Sequence, residues 1–312
     1  MPSGPYDVII IGGGPAGLNA ALILGRCRRR VLLCDDGHPR NAASGGMHGY
    51  LSRDGCLPSE FLRIGRDELS RYGVEFCPLH VSEAHSVDGG FVVSLQSGEK
   101  LNSRKLLLAT GVKDKIPEIE NITRFYGRSV FHCPYCDGWE MKNEPLAVYG
   151  RGKPGAGLAQ SLLTWTSDLV VCTDGPHRMG SADRKSLDAH GIPIITKRIA
   201  RLEGEGEVLE RIVFADGETL PRRGIFFTTS QDQQCDLAEK FGCVFTARGS
   251  VRTDRHGATN VPGLYVAGDA SFDVQFVVVA AAEGAKAGVA INKALQLEAF
   301  FDLTAQAKAR VT

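Results

Sequence analysis

The chain lacks any run of 18 or more apolar residues among its 312, which argues against a membrane-spanning helix. It also lacks a surplus of either charge. Its 36 Lys and Arg balance 36 Asp and Glu, so the overall field favours neither nucleic acid nor an anionic membrane as partner. The densest basic run, Arg28-Arg29-Arg30, reads as a solvated helix end ahead of a strand. A disulfide framework is missing too. Seven of the nine cysteines (Cys27, Cys34, Cys56, Cys77, Cys172, Cys235, Cys243) have no ligand or pairing spacing and read as small core hydrophobes. Nothing ahead of Asp7 has the form of a secretory leader, so the cytoplasm is the expected compartment. No metal site is expected.

What is present is enough apolar sequence, 43%, for a buried core, and a length that suits two domains. Asp7-Val8-Ile9-Ile10-Ile11 predicts a buried parallel strand. Gly12 to Gly17, an apolar helical stretch and the strand Val31-Leu32-Leu33-Cys34 then complete a βαβ unit. A helix is predicted over 58–72, and strands over 91–96 and 105–109. A second βαβ unit starts at Pro145-Leu146-Ala147-Val148-Tyr149 and returns as Leu169-Val170-Val171-Cys172. A helix rich in small residues is predicted over 277–297. The fold class expected is α/β, with two Rossmann-like three-layer (ββα) nucleotide-binding domains, the second inserted in the first. The first comprises 1–113 and 246–312, and the inserted one 114–245.

Gly12-Gly13-Gly14-Pro15-Ala16-Gly17 places a G-x-G-x-x-G pattern between a strand and a helix. Gly12 permits the tight turn, Gly14 a close backbone approach to a pyrophosphate, and Gly17 close helix packing. The helix N-terminus, with Pro15 and Ala16, attracts the phosphates. Asp35, 18 positions after Gly17, is placed to accept ribose hydroxyls. Tyr265-Val266-Ala267-Gly268-Asp269 resembles the second FAD fingerprint of two-dinucleotide flavoproteins. That resemblance implies that Asp269 meets the ribityl chain and that the next helix faces the flavin; a plain N-cap is the alternative. Ala109-Thr110-Gly111 matches the short motif that closes such FAD domains.

Cys133-Pro134-Tyr135-Cys136-Asp137-Gly138 carries the chemistry. A C-x-x-C spacing puts two sulfurs within disulfide reach and often depresses one thiol pKa. Asp137 is the candidate acid/base for thiol exchange, while His132 either assists or packs. Half of a zinc site is the alternative, but no second pair accompanies it. With these motifs the chain resembles the low-molecular-weight thioredoxin reductase family over its whole length. The resemblance implies one FAD per subunit, a homodimer, and Cys136 as the sulfur nearer the flavin.

One part departs from that pattern. Gly150-Arg151-Gly152-Lys153-Pro154-Gly155 keeps the glycines of a pyridine-nucleotide site, but Pro154 removes a backbone donor. Asp174 stands where arginines would clamp a 2′-phosphate, and Arg178 is displaced. Three readings follow. The first is a relative independent of NADPH, served by a ferredoxin donor, a second flavin or oxygen. The second is an NADH-preferring reductase, with Asp174 on the ribose 2′-OH. The third is a non-catalytic flavin sensor, against which the intact dithiol argues. The disulfide partner is expected to be a thioredoxin-like protein or a small dithiol. Within the polar loop 38–54, Arg40 is expected at the FAD phosphates and Asn41 or His48 at the flavin ring; an ordinary connection is the alternative. Gln275 falls where the family places a glutamine near the flavin.

Overall fold

The computed structural model describes residues 4–271 and 274–309, with side chains as far as Phe301. Its first body is built on a seven-stranded sheet. The strand order is Glu75–Cys77, Val31–Cys34, Tyr6–Ile11, Lys100–Leu108, Gly90–Leu95 and Val81–Val87. Leu264–Val266 pairs in parallel with Leu106–Leu108 on the free side of that strand. The first strand is apolar on both faces because both are covered. Val8, Ile10 and Leu33 pack with Ala20, Leu24, Ala287 and Ile291 on the helical side. Ile9, Leu32 and Leu106 pack with Phe91, Val93 and Leu95 on the other. Continuous hydrophobic runs are what a strand buried on two faces requires.

The helix Pro15–Arg26 starts with proline at its first turn, where the missing amide costs nothing. The helix Val277–Ala309 crosses it at backbone distance. A Cβ on Gly284 would stand 2.0 Å from the Ala16 carbonyl oxygen, and one on Gly288 would stand 3.1 Å from that of Ala20. Asn19 Nδ2 donates to the Ala281 carbonyl at 2.6 Å across the same seam.

The inserted body has five parallel strands in the order Ile194–Ile195, Leu169–Cys172, Leu146–Tyr149, Gly224–Phe227, Val130–Phe131. A three-stranded antiparallel layer, Ile199–Glu205, Val208–Phe214 and Thr219–Pro221, covers one face. The chain crosses between bodies in a two-stranded ribbon, Val112–Asp114 antiparallel to Gln231–Gln233. After the ribbon, Leu237, Ala238 and Cys243 enter the first core. The expected boundary at 245 therefore moves back to the ribbon. The short helix Leu237–Lys240 lies in the first body because its apolar face is buried there. No helix among the described residues is long and apolar enough to cross a membrane.

Replacing Gly284 with alanine forces the two helices apart. It is expected to cost about 1–3 kcal/mol, the range for overpacking, read as a lower midpoint in urea unfolding. An unchanged midpoint would contradict backbone-to-backbone packing at this crossing.

Candidate active site

A single cleft runs from the first glycine loop to the dithiol. Gly12, Gly14, Asp35, Asn41, Thr110, Gly268 and Asp269 line one end, and His132, Cys133, Cys136 and Asp137 the other. Gly12 has φ +106°, and a Cβ there would stand 2.3 Å from the Ala109 carbonyl oxygen. A Cβ on Gly17 would stand 1.9 Å from the Gly12 oxygen, while one on Gly14 would meet nothing within 4 Å. No side chain caps the helix that follows, and its first turn carries no acid. An open backbone cradle at a positive helix end fits a dinucleotide pyrophosphate. Gly13, which sequence reasoning passed over, is also required: its Cβ would stand 2.7 Å from the Asp35 carboxylate.

Asp35 ends the second strand and is ion-paired to Arg66, whose Nη2 lies 2.6 Å from Oδ2. Arg66 also covers the Phe76 ring. Gly268 has φ +81° and its amide donates to Glu283 Oε2 at 2.8 Å. Neither Arg66 nor Glu283 has a local sequence signal, because both meet their partners only through the fold.

Arg40 and His48 both line the cleft and are also tied to protein partners. The Arg40 guanidinium forks onto Asp114 through Nε (2.7 Å) and Nη2 (2.6 Å). Its Nη1 donates to Asp269 Oδ2 at 2.8 Å and to Gln275 Oε1 at 2.7 Å, and its Nη2 lies 3.2 Å from His132 Nε2. Two carboxylates thus share its charge. Gln275 is held besides by a reciprocal pair of 2.7 Å bonds with Gln231. His48 likewise lies between Asp54 Oδ1 and Glu140 Oε1, each at 3.5 Å.

Burial pushes the Asp114 carboxyl up, but the hydrogen bond and charge of Arg40, with a hydrogen bond from Gln231, bring it below the usual range. Burial holds His132 below the usual imidazole range. A guanidinium only donates, so the neutral ring accepts at Nε2 and presents Nδ1–H to the Tyr126 hydroxyl, 3.3 Å away. Asp137 behaves oppositely to Asp114. Burial, then repulsion from Glu140, raises it from 3.8 to about 7, with His48 opposing.

The dithiol is closed as a disulfide between Cys133 and Cys136, whose Cα atoms are 5.3 Å apart. Cys133 precedes the short helix Pro134–Asp137. Tyr135 next to it is exposed and packs edge-on to Trp165 (5.9 Å) and Phe276 (6.5 Å). No cluster of His, Cys, Asp and Glu suited to a metal ion occurs among the described residues.

The second glycine turn is filled by its own chain. Gly152 N donates to the His177 carbonyl at 2.7 Å. Arg151 Nε donates to the Thr173 carbonyl at 2.5 Å, and its Nη2 to the Asp174 carbonyl. Asp174 Oδ1 accepts the Ile199 amide at 2.8 Å. The Arg178 carbonyl oxygen stands 3.4 Å from where a Gly152 Cβ would be.

The family model described as pyridine nucleotide-disulphide oxidoreductase matches residues 6–284. A probable thioredoxin reductase of Arthroderma benhamiae is 30% identical over 308 residues, covering 87% of this chain and 76% of that protein. The crystal structure of HlmI is 36% identical with a TM-score of 0.94, covering 99% of this chain and 98% of that one. That of a putative thioredoxin reductase TrxB from Bacillus anthracis is 34% identical with a TM-score of 0.90, covering 94% and 99%.

Substituting methionine for Arg40 leaves Asp114 and Asp269 without a counter-charge and is expected to cost about 3–5 kcal/mol at pH 7. Asp114 has a depressed folded pKa, so its contribution is present above the unfolded value and lost as pH falls through the folded one. The gap between wild type and Arg40→Met in urea unfolding should therefore narrow on acidification. A constant gap from pH 7 to pH 3 would show that Arg40 acts by packing alone.

Proposed function

The chain belongs to the pyridine nucleotide-disulphide oxidoreductase family as an FAD-dependent disulfide oxidoreductase of thioredoxin reductase type, and from that premise we propose that it moves two electrons between FAD and the Cys133–Cys136 disulfide without drawing them from NADPH. The observation that carries the last part is the second glycine turn. Its Gly152 amide, its Arg151 side chain and the Asp174 carboxylate are each engaged within the protein. A nucleotide there would have to displace the 174–178 loop, and a 2′-phosphate would meet Asp174 rather than an arginine fork.

FAD, when bound, supplies the two-electron couple beside the dithiol. Gly12, Gly14, Pro15, Ala16 and Gly17 would hold its pyrophosphate and Asp35 its ribose. Asn41, Ala109, Thr110, Gly111, Gly268 and Asp269 would line the remainder, with Arg40 and Gln275 orienting Asp269. Reducing the disulfide consumes two electrons and two protons, and oxidising the dithiol releases them. Asp137, with a pKa near neutrality, is suited to carry a proton in either direction, since a general acid/base works best near the operating pH. The exchange partner on this reading is a thioredoxin-like protein or a small dithiol, and the working unit a homodimer.

Anaerobic titration with NADPH, and separately NADH, should leave the flavin absorbance near 450 nm unchanged while dithionite or a dithiol bleaches it. Rapid bleaching by either nucleotide would overturn the NADPH-independent reading. If neither bleaches, ferredoxin, a second flavin and oxygen are the couples to try next. Cys136→Ser should keep FAD bound and lose disulfide turnover.

Asp137→Asn should remove the inflection near pH 7 from the exchange rate. The sign for stability follows from the raised folded pKa. Between 3.8 and about 7 the native state holds the extra proton, so wild-type stability falls as pH rises through this window. Asn removes that slope. The thermal midpoint of Asp137→Asn relative to wild type should therefore be higher at pH 8 than at pH 5; an equal difference at both would deny Asp137 its raised pKa.

A further inference from the structure

The loop that includes Arg40 and His48 reaches from the first body to the inserted one beside the dithiol. A Cβ on Gly127 would stand 2.5 Å from the Ala43 carbonyl oxygen, so the two chains touch at backbone distance. His48 bridges the same boundary. Its Nε2 is 3.5 Å from Glu140 Oε1, and its Nδ1 is 3.5 Å from Asp54 Oδ1. Asp54 is itself fixed by the Gly49 amide at 2.8 Å. Glu140 lies three residues beyond Asp137, just after the short helix that carries Cys136. His48, Asp137 and both dithiol sulfur residues line one cleft.

We propose that His48 and Glu140 are positioning residues that set the pH at which Asp137 gives and takes its proton, one residue acting from each body. The proposal rests on the reading of Asp137 as the acid/base of the dithiol. Glu140 is a like charge and favours protonated Asp137, whereas His48 favours the carboxylate. Tyr126, against the inserted-body core, is the other titratable group coupled to Asp137, and it is held neutral by burial. Because Glu140 shares a segment with Asp137 and His48 does not, the two contributions are separable. With the bodies in contact, His48 makes Asp137 readier to act as a base. Moved apart, Asp137 would keep Glu140 and lose His48, and would hold its proton to higher pH. Proton handling is thereby tied to the dithiol facing the FAD cleft.

The exchange that reads this out is balanced as follows. One thiolate of the reduced pair attacks a probe disulfide, breaking its S–S bond, forming a mixed disulfide and releasing one probe thiolate. The second cysteine sulfur displaces the other probe thiolate, and the Cys133–Cys136 bond forms. Two electrons pass from the dithiol to the probe. The two protons the cysteines lose pass by way of Asp137 to the leaving sulfurs or to solvent.

The test uses FAD-loaded protein, reduced with dithionite, freed of excess reductant and mixed with dithiodipyridine across pH 5 to 9. Glu140→Gln is expected to move the inflection of the exchange rate down, and His48→Gln to move it up. Each shift should be on the order of half to one pH unit, and the double variant should fall between them. The pH at which the thermal midpoint stops falling should move in the same sense, a readout independent of exchange that serves if either variant turns over slowly. Shifts in the same direction, or none, overturn the proposal. If Asp137→Asn itself leaves the profile intact, the reading beneath it fails as well. If Asp137→Asn flattens the profile and the other two leave it in place, only the roles of His48 and Glu140 fall.

Discussion

Arg40 is the residue on which the arrangement of the cleft depends. A guanidinium taken out of water is costly unless its donors are used, and here they are. Nε and Nη2 serve Asp114, Nη1 serves Asp269 and Gln275, and Nη2 also faces His132. These partners come from the crossover ribbon, the C-terminal piece of the first body and the strand end that leads into Cys133. One planar cation thus holds together three segments that the chain brings from far apart. A lysine could not replace it, since a single ammonium cannot fork onto Asp114 while also reaching Asp269 and Gln275.

The same cleft holds two carboxyls in opposite states. Asp114 is nearly inaccessible, with its side chain only 4% exposed, yet it is ionised because the Arg40 guanidinium forks onto it. Asp137 is half-buried; desolvation first, and then repulsion from Glu140, raises its pKa to about 7. Burial raises both carboxyls; at Asp114 the hydrogen bond and charge of Arg40 more than offset it, and at Asp137 they have no counterpart of that strength. One carboxylate anchors Arg40, and the other is left to serve the dithiol. Tyr126, held neutral by burial, is coupled to both carboxyls and adds no charge to either.

Much of this was legible in the sequence, for physical reasons that name their own limits. Strands buried on both faces must be apolar throughout, so Asp7–Ile11, Val31–Cys34 and Leu146–Tyr149 announce themselves. The glycines at 12 and 17 are forced by contacts closer than a Cβ tolerates, and the C-x-x-C pair is a local motif. Pairings made by the fold were not legible. Arg40 meets Asp114 across 74 residues and Asp269 across 229, and no periodicity encodes such distances. The antiparallel layer over the inserted sheet has strands interrupted by charged residues, with register shifts, and it escaped a reading based on continuous apolar runs. Residues 234–245 were assigned to the inserted body because their apolar positions do not say which core receives them.

The glycines of the second turn are set by packing before any ligand is considered. Gly150 and Gly155 are required by packing alone: a Cβ on Gly155 would stand 2.6 Å from the Gly150 carbonyl carbon, and one on Gly150 would stand 3.0 Å from both Thr228 and the Gly155 Cα. Gly152 is required by its φ of +58°. A strand that turns directly into a helix against a parallel sheet needs these glycines whether or not a phosphate is present. Nucleotide recognition needs something else: free amides at the turn and a polar group at the end of the next strand with its hydrogen-bonding capacity unspent. Here that amide and that carboxylate are committed to His177 and Ile199. The glycines therefore carry information about the fold of the inserted body, while the partners of Gly152 and Asp174 carry the information about what it binds.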